Sequence, residues 1–480
     1  MPFDLDFETR RRLGYQLVDT VNNFFNSLPD RPVQPSAELR VYPPRLQDIP
    51  EVPDLPEEVF QEVCRELIDN GFHIPSAHYL GMMNPTPTFM SFLAESLVAA
   101  LNPQLASVAR SQVASRIEAE TVRWVGELVR WPVQFSGTFT TGGNEANFSA
   151  LAMALSAQFP GVVEDGLASI GAQPVFYASS EAHHSLDKSA GLLGLGRKAF
   201  RRIPVNERLQ LDVEALEAAI RDDLASGKKP FCVVATAGTT SSGAIDDLPE
   251  LARVCRENGL WFHVDGAYGA AVLFSNRYRG LVDGIEQSDS VTIDPHKWLA
   301  MPFSSGLILT RHPEIMERTF SVPCPYLQKA TGEHLKDNLS ISAQWSRRMN
   351  SLKLWLTLRV HGRQAYEDLI DRQMQLAREF AEWVDASDEY ELAAPQVLPI
   401  LNLRLKNKMF SQSEIPALHA GIIEEVNRDG QRWISGAVVN GQSVIRTMII
   451  SYLTEAAHLC GLQAALRAAV PRPAVQMIAA

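Results

Sequence analysis

Five short runs in this 480-residue chain are apolar at almost every position: 174–178, 231–237, 260–264, 290–293 and 306–309. A strand that alternates apolar and polar can leave one face in water. A run apolar on both faces needs cover on both sides, which is the situation in a parallel sheet layered between helices. The intervening sequence supplies such helices. In residues 116–131, Val122, Val125, Leu128 and Val129 share one stripe. In 212–226, Asp212 is a candidate N-cap, Val213, Leu216, Ile220 and Leu224 recur at helical spacing, and Gly227 ends the pattern. Strand and helix in alternation predict an α/β fold with a mostly parallel central sheet flanked by helices.

Three parts are expected along the chain. Residues 1–75 hold a helical stretch over about the first 30 positions and then a proline-rich linker (Pro32, Pro35, Pro43, Pro44, Pro50, Pro53, Pro56). Residues 76–347 carry the strand–helix alternation. Residues 348–480 open with a long helix, about 348–384, and continue as mixed strands and helices, which suits a smaller C-terminal α+β domain. The formal net charge of −12 argues against a general partner in nucleic acid or anionic membrane. Five scattered cysteines without a Cys-x-x-Cys pair read as reduced thiols, and the acidic N-terminus lacks the basic start of a signal peptide. No apolar stretch reaches membrane-spanning length. A cytoplasmic location is therefore expected.

The chemistry is concentrated at the ends of the apolar runs. Lys297 sits in Asp294-Pro295-His296-Lys297-Trp298, and Asp265 closes Leu260-Trp261-Phe262-His263-Val264-Asp265. An amine at one strand end can form a Schiff base with an aldehyde cofactor. A carboxylate at another can pair with a protonated pyridine nitrogen. These are the two protein groups that pyridoxal 5'-phosphate (PLP) chemistry requires. Alone, the lysine reads equally as a solvated surface charge and the aspartate as a turn residue or helix cap; the pairing is what carries the argument.

Further clusters fall at neighbouring strand ends. Thr140-Thr141-Gly142-Gly143-Asn144-Glu145-Ala146-Asn147 is followed by a helical run from Phe148, so its two glycines can expose backbone N–H groups to a phosphate at the positive end of a helix dipole. An ordinary Gly-rich loop has the same composition. His183 and His184 follow the run at 174–178, where an imidazole can stack on a pyridine ring or simply lie on the surface. Adjacent histidines seldom ligate one metal and no supporting ligand falls nearby, so no metal is expected. Thr236-Ala237-Gly238-Thr239-Thr240 adds hydroxyls and a glycine at a fourth strand end.

With these motifs the chain resembles the group II PLP-dependent amino-acid decarboxylases, the family of the aromatic-L-amino-acid, histidine, tyrosine, tryptophan and glutamate decarboxylases. The similarity runs from Arg31-Pro32-Val33 to Val444-Ile445-Arg446 and includes Arg347-Arg348-Met349-Asn350-Ser351-Leu352-Lys353-Leu354-Trp355. The resemblance implies fold type I, the aspartate-aminotransferase-like architecture, and a homodimer with its active sites at the subunit interface. It implies that Lys297 binds the cofactor covalently, Asp265 meets its ring nitrogen, His183 stacks on one ring face and Ala267 packs on the other. Gly143, Asn144 and His296 would hold the phosphate, with Thr240 nearby. Tyr326, in a loop rich in Pro, Gly and charge, would protonate the carbon left by CO2.

One segment departs from the aromatic decarboxylases. Where those have an aromatic-rich stretch ending in Phe-Pro-Thr, this chain has Gly81-Met82-Met83-Asn84-Pro85-Thr86-Pro87. Met82, Asn84 and Pro85 are thus expected to line the pocket for the substrate side chain. No Lys or Arg lies between Gly71 and Val108, so a neutral, aromatic L-amino acid is the expected substrate. The alternatives are an oxygen-consuming aldehyde synthase on the same scaffold, which Tyr326 argues against, and a decarboxylase of an acidic amino acid.

Overall fold

The computed structural model describes residues 3–35, 49–323, 336–406 and 410–471 of the chain. All five apolar runs form strands of one sheet. In chain order these are β1 (Ser136–Thr140), β2 (Pro174–Ser179), β3 (Phe200–Ile203), β4 (Lys229–Thr236), β5 (Trp261–Asp265), β6 (Ser290–Ile293) and β7 (Gly306–Thr310). Their spatial order is β1-β7-β6-β5-β4-β2-β3. The pairings from β3 through β2, β4 and β5 to β6 are parallel, and only β7 runs against its neighbours β6 and β1. The C-terminal ends of β2, β4, β5 and β6 therefore open on one side of the sheet.

Burial on both faces explains the apolar runs. Val175 and Tyr177 join one core with Val233 and Ala235, while Phe176 and Ala178 join a second with Cys232 and Val234. Successive side chains of one strand feed opposite layers, so both faces of the strand favour apolar side chains. Two strands lack this signature. β1, Ser-Gly-Thr-Phe-Thr, is rich in hydroxyls, and β3, Phe-Arg-Arg-Ile, is an edge strand whose two arginines suit that place. The helix 212–226 forms as Val213–Ala225, with Asp212 accepting from the Ala215 N–H at 3.1 Å.

A second sheet lies in the C-terminal part. It comprises β8 (Tyr390–Leu392), β9 (Ile400–Leu405), β10 (Ser435–Val439) and β11 (Gln442–Met448), antiparallel in the order β10-β11-β9-β8. The long helix Ser351–Ala386 joins the two parts, interrupted only at Gly362, whose φ of 74° lies in the left-handed region that glycine tolerates. Its first half (Leu354, Tyr366, Ile370, Met374) packs on the core of the large sheet, and its second half (Leu376, Phe380, Val384) on that of the small one. Among the described residues no helix is long and apolar enough to cross a membrane.

His263, in the middle of β5, is fully buried. Burial lowers its pKa to about 4, against the opposing pull of the Asp265 charge. The unfolded chain protonates this imidazole below about pH 6.5, whereas the folded chain does not until about pH 4. Unfolding therefore takes up a proton in that window, and stability falls as pH falls through it, by roughly 3 kcal/mol in total. Urea unfolding at pH 7.5, 6 and 5 should show this loss in the wild type and less of it in His263→Gln; parallel losses in the two proteins would contradict it.

Candidate active site

The loops that leave β2, β4, β5 and β6 meet the start of the helix Gly143–Gln158 around a cavity of about 330 Å³. His183, Thr240, Asp265, Ala267, His296 and Lys297 line it, together with Gly143 and Asn144. The sequence clusters from separate strand ends are thus assembled into a single site. Tyr326 lies outside the described residues. Of the pocket segment, Met83 lines this cavity; Met82, Asn84 and Pro85 do not, and the Met82 sulfur lies 3.3 Å from an Arg446 guanidinium nitrogen.

Each group is held by local contacts. The Lys297 Nζ is 3.2 Å from Asp294 Oδ2, one helical-type turn earlier in its own motif. Asp294 is almost wholly buried, and its Oδ1 has no hydrogen-bond donor among the described residues. Asp265 Oδ1 accepts from the Ala267 N–H at 3.2 Å and Oδ2 from the Asn147 amide at 2.7 Å, which fixes the carboxylate and leaves it further capacity to accept. His183 Nδ1 accepts from the Ser185 N–H at 3.1 Å, and its ring remains exposed to the cavity. His296 Nδ1 accepts from the Ser305 N–H at 3.0 Å. Burial lowers the pKa of both His183 and His296, so both are neutral near pH 7.

The arrangement fits a phosphorylated pyridine aldehyde. The helix at Gly143 has no side-chain cap, and Gly143 and Asn144, whose N–H groups belong to the first turn and lack an intrahelical acceptor, line the cavity at the positive end of the helix dipole. Only glycine allows this approach, because a Cβ at position 143 would stand 2.8 Å from Asp294 Oδ2 and 3.2 Å from the Ala267 Cβ. A nucleophilic amine, a fixed carboxylate, an open imidazole face and an uncapped helix end converge on one volume.

Several residues emerge only from the structure. Asn147 stands behind Asp265, and Asp294 holds Lys297; both lie inside motifs already singled out, with nothing in the sequence to give them a role. Phe303 forms a wall, its ring 4.8 Å from that of His296. Lys353, fully buried, bonds Ser304 O at 2.8 Å and Glu95 Oε2 at 3.1 Å, pinning the loop that follows Lys297. Arg446 is 6% exposed and donates to Thr240 O at 3.0 Å, Gly81 O at 3.2 Å and the Ser435 hydroxyl, with no carboxylate beside it among the described residues.

Comparison with known proteins agrees with this geometry. The sequence model of the pyridoxal-dependent decarboxylase conserved domain matches residues 35–406. The chain is 29% identical to an aromatic-L-amino-acid decarboxylase of Bacillus atrophaeus, over 97% of this chain and 96% of that protein. It is 32% identical to an L-2,4-diaminobutyrate decarboxylase of Acinetobacter baumannii, over 83% and 81%. The crystal structure of Oryza sativa TDC with PLP and tryptamine superposes with a TM-score of 0.90 at 23% identity, covering 97% of this chain and 98% of that one. An amine and a carboxylate at adjacent strand ends, an uncapped helix N-terminus between them and a family match across most of the chain lead to one conclusion: this protein belongs to the pyridoxal-dependent decarboxylase family and uses pyridoxal phosphate as its cofactor.

Proposed function

We propose that this enzyme decarboxylates a neutral, aromatic L-amino acid to its amine. The observation that carries the reading is the presence of Lys297 and Asp265 in one cavity beside the uncapped helix at Gly143. When bound, pyridoxal phosphate supplies an electron-accepting ring for the electrons left behind by CO2. The residues of the chain supply the rest. Lys297 holds the aldehyde carbon and later carries a proton, with Asp294 steadying its ammonium beforehand. Asp265 receives the ring N–H. The Gly143 and Asn144 N–H groups, with neutral His296, bind the phosphate, and Thr240 lies beside it. His183 and Ala267 pack on the two ring faces. By family resemblance Tyr326 protonates Cα, which distinguishes amine release from oxygen-consuming aldehyde synthesis.

A neutral side chain is favoured because, among the described residues that line the cavity, Lys297 is the only Lys or Arg. A buried carboxylate without a partner costs several kcal/mol. A second reading, an acidic side chain, rests on Arg446: a buried guanidinium with no carboxylate beside it, one hydrogen bond behind the wall at Thr240. The alternatives separate in competitive turnover of tyrosine, tryptophan, phenylalanine, histidine, glutamate and aspartate, with CO2 and peroxide both measured. Preference for an aromatic substrate without peroxide supports the first reading. Preference for an acid, abolished in Arg446→Met, supports the second.

The functional unit is a homodimer, by the same proposal, with its sites at the interface and a cytoplasmic location that suits the free cysteines among the described residues, Cys64, Cys232, Cys255 and Cys460. The N-terminal helices present apolar side chains to solvent, with Tyr15 61%, Leu67 70%, Leu97 49% and Leu101 69% exposed. So much unpaired apolar surface is characteristic of an interface. Sedimentation should give twice the chain mass; a fully active monomer at nanomolar concentration would contradict this.

Lys297→Ala should abolish both covalent cofactor absorbance and turnover, because no other amine lines the cavity among the described residues. Asp265→Asn should still bind cofactor yet lose activity by orders of magnitude. Near-normal turnover in that variant would remove Asp265 from the ring-nitrogen role.

A further inference from the structure

Behind Asp265 lies a polar chain enclosed in the protein core. Asn147, one turn into the helix Gly143–Gln158, is 1% exposed. Its Nδ2 lies 2.7 Å from Asp265 Oδ2 and 3.0 Å from the Ser185 hydroxyl. Its Oδ1 accepts from the Thr292 hydroxyl at 2.8 Å and faces His263 Nε2 at 3.2 Å. An ionised carboxylate only accepts, so the amide nitrogen must face it and the amide oxygen must face His263. That requires a proton on His263 Nε2 and a lone pair on Nδ1. The Ser290 hydroxyl lies 2.8 Å from Nδ1, and its oxygen accepts from the Trp261 indole N–H at 2.9 Å, which leaves its own proton for the imidazole. All donors then point the same way: Trp261 to Ser290, His263, Asn147 and finally Asp265. The opposite tautomer would use Ser290 O, 3.1 Å from Nδ1, but would set the Nε2 lone pair against the Asn147 carbonyl oxygen.

We propose that Asn147 is a positioning residue for the decarboxylation: its amide, oriented by the Nε2–H tautomer of His263, holds the Asp265 carboxylate toward the cofactor ring. The amide has one orientation because both of its ends are engaged, and each bond in an aligned chain polarises the next. Through Ser185, whose N–H donates to His183 Nδ1 at 3.1 Å, the same amide also links Asp265 to the loop that carries His183. Two residues that face the ring from different strands are thus registered by one side chain. The proposal rests on the reading that Asp265 meets the ring nitrogen.

Its first test needs no cofactor. In apo protein labelled with 15N-histidine, the His263 resonances, assigned by their loss in His263→Gln, should show the neutral Nε2–H tautomer from pH 6 to 8. An Nδ1–H tautomer would overturn the proposal. In the loaded enzyme Asn147→Ala should lower kcat on the order of tenfold or more, the range found when supporting partners of a site are lost, with KM within about twofold. It should also displace the pH titration of the cofactor absorbance. Unchanged kcat and an unchanged titration would sink the idea. Should Asn147→Ala fail to fold, His263 gives the same answer: His263→Gln, whose amide N–H replaces Nε2–H, should retain most activity, while His263→Leu should behave as predicted for Asn147→Ala. Equal activity of the two His263 variants would count against the chain. Near-normal turnover of Asp265→Asn alongside an Nε2–H tautomer would instead defeat the underlying ring-nitrogen reading and leave the hydrogen-bond chain standing.

Discussion

The site depends on how closely the helix Gly143–Gln158 approaches the loop after β6. At Gly143 the separation from Asp294 and Ala267 leaves no space for a methyl group. This contact brings the positive end of the helix dipole beside the strand that delivers Lys297 and sets Asn147, one turn further on, against Asp265. A helix displaced outward by even the radius of a methyl group would lose both relations at once. Gly143 and Asn144 at the open helix end and Asn147 behind the Asp265 carboxylate are on one helix, so neither part can move without the other.

That approach is held from outside by buried charges. Arg347 pairs with Glu118 and donates to Phe139 O at 2.8 Å, which ties the segment before the long helix to β1 and its covering helix. Lys353 reaches Ser304 O and Glu95 and restrains the loop after Lys297. Trp298, next to the lysine, stacks on Tyr268 with centroids 5.0 Å apart and donates to Gln373 Oε1 at 2.5 Å. The long helix therefore supports the lysine loop through Lys353, Gln373 and Tyr366, whose hydroxyl donates to Leu299 O at 2.9 Å, while its far end belongs to the smaller sheet. Removing one member of a buried ion pair leaves the other uncompensated, which makes these pairs registers for the loop more than sources of net stability.

Much of this was legible in the chain. Wholly apolar runs announce strands covered on both sides, and glycines or polar clusters after them announce a crevice at strand ends. Lys297, Asp265 and His183 stood out because each closes or follows such a run, and Gly143 because a pair of glycines precedes a helical run. The reverse direction of β7 was not legible, since an apolar run records burial and carries no sign of polarity. β1 and β3 were missed for a related reason: one carries hydroxyls at three of its five positions, and the other lies at an edge where arginine is tolerated.

Local sequence determined the five apolar strands, the helix at Gly143, and the identity of the amine and the carboxylate, because backbone periodicity and strand-end position are short-range properties. Tertiary structure alone decided that Met83 and not Met82, Asn84 or Pro85 lines the cavity, since the segment 81–87 is irregular and has no periodicity that would tell which side chain turns inward. It alone placed Arg446, distant in sequence, behind Thr240, and aligned Trp261, Ser290, His263 and Asn147 toward Asp265. Those contacts join separate strands and a helix. Their hydrogen bonds require distances and directions that no single segment contains, and only the packed sheet supplies them.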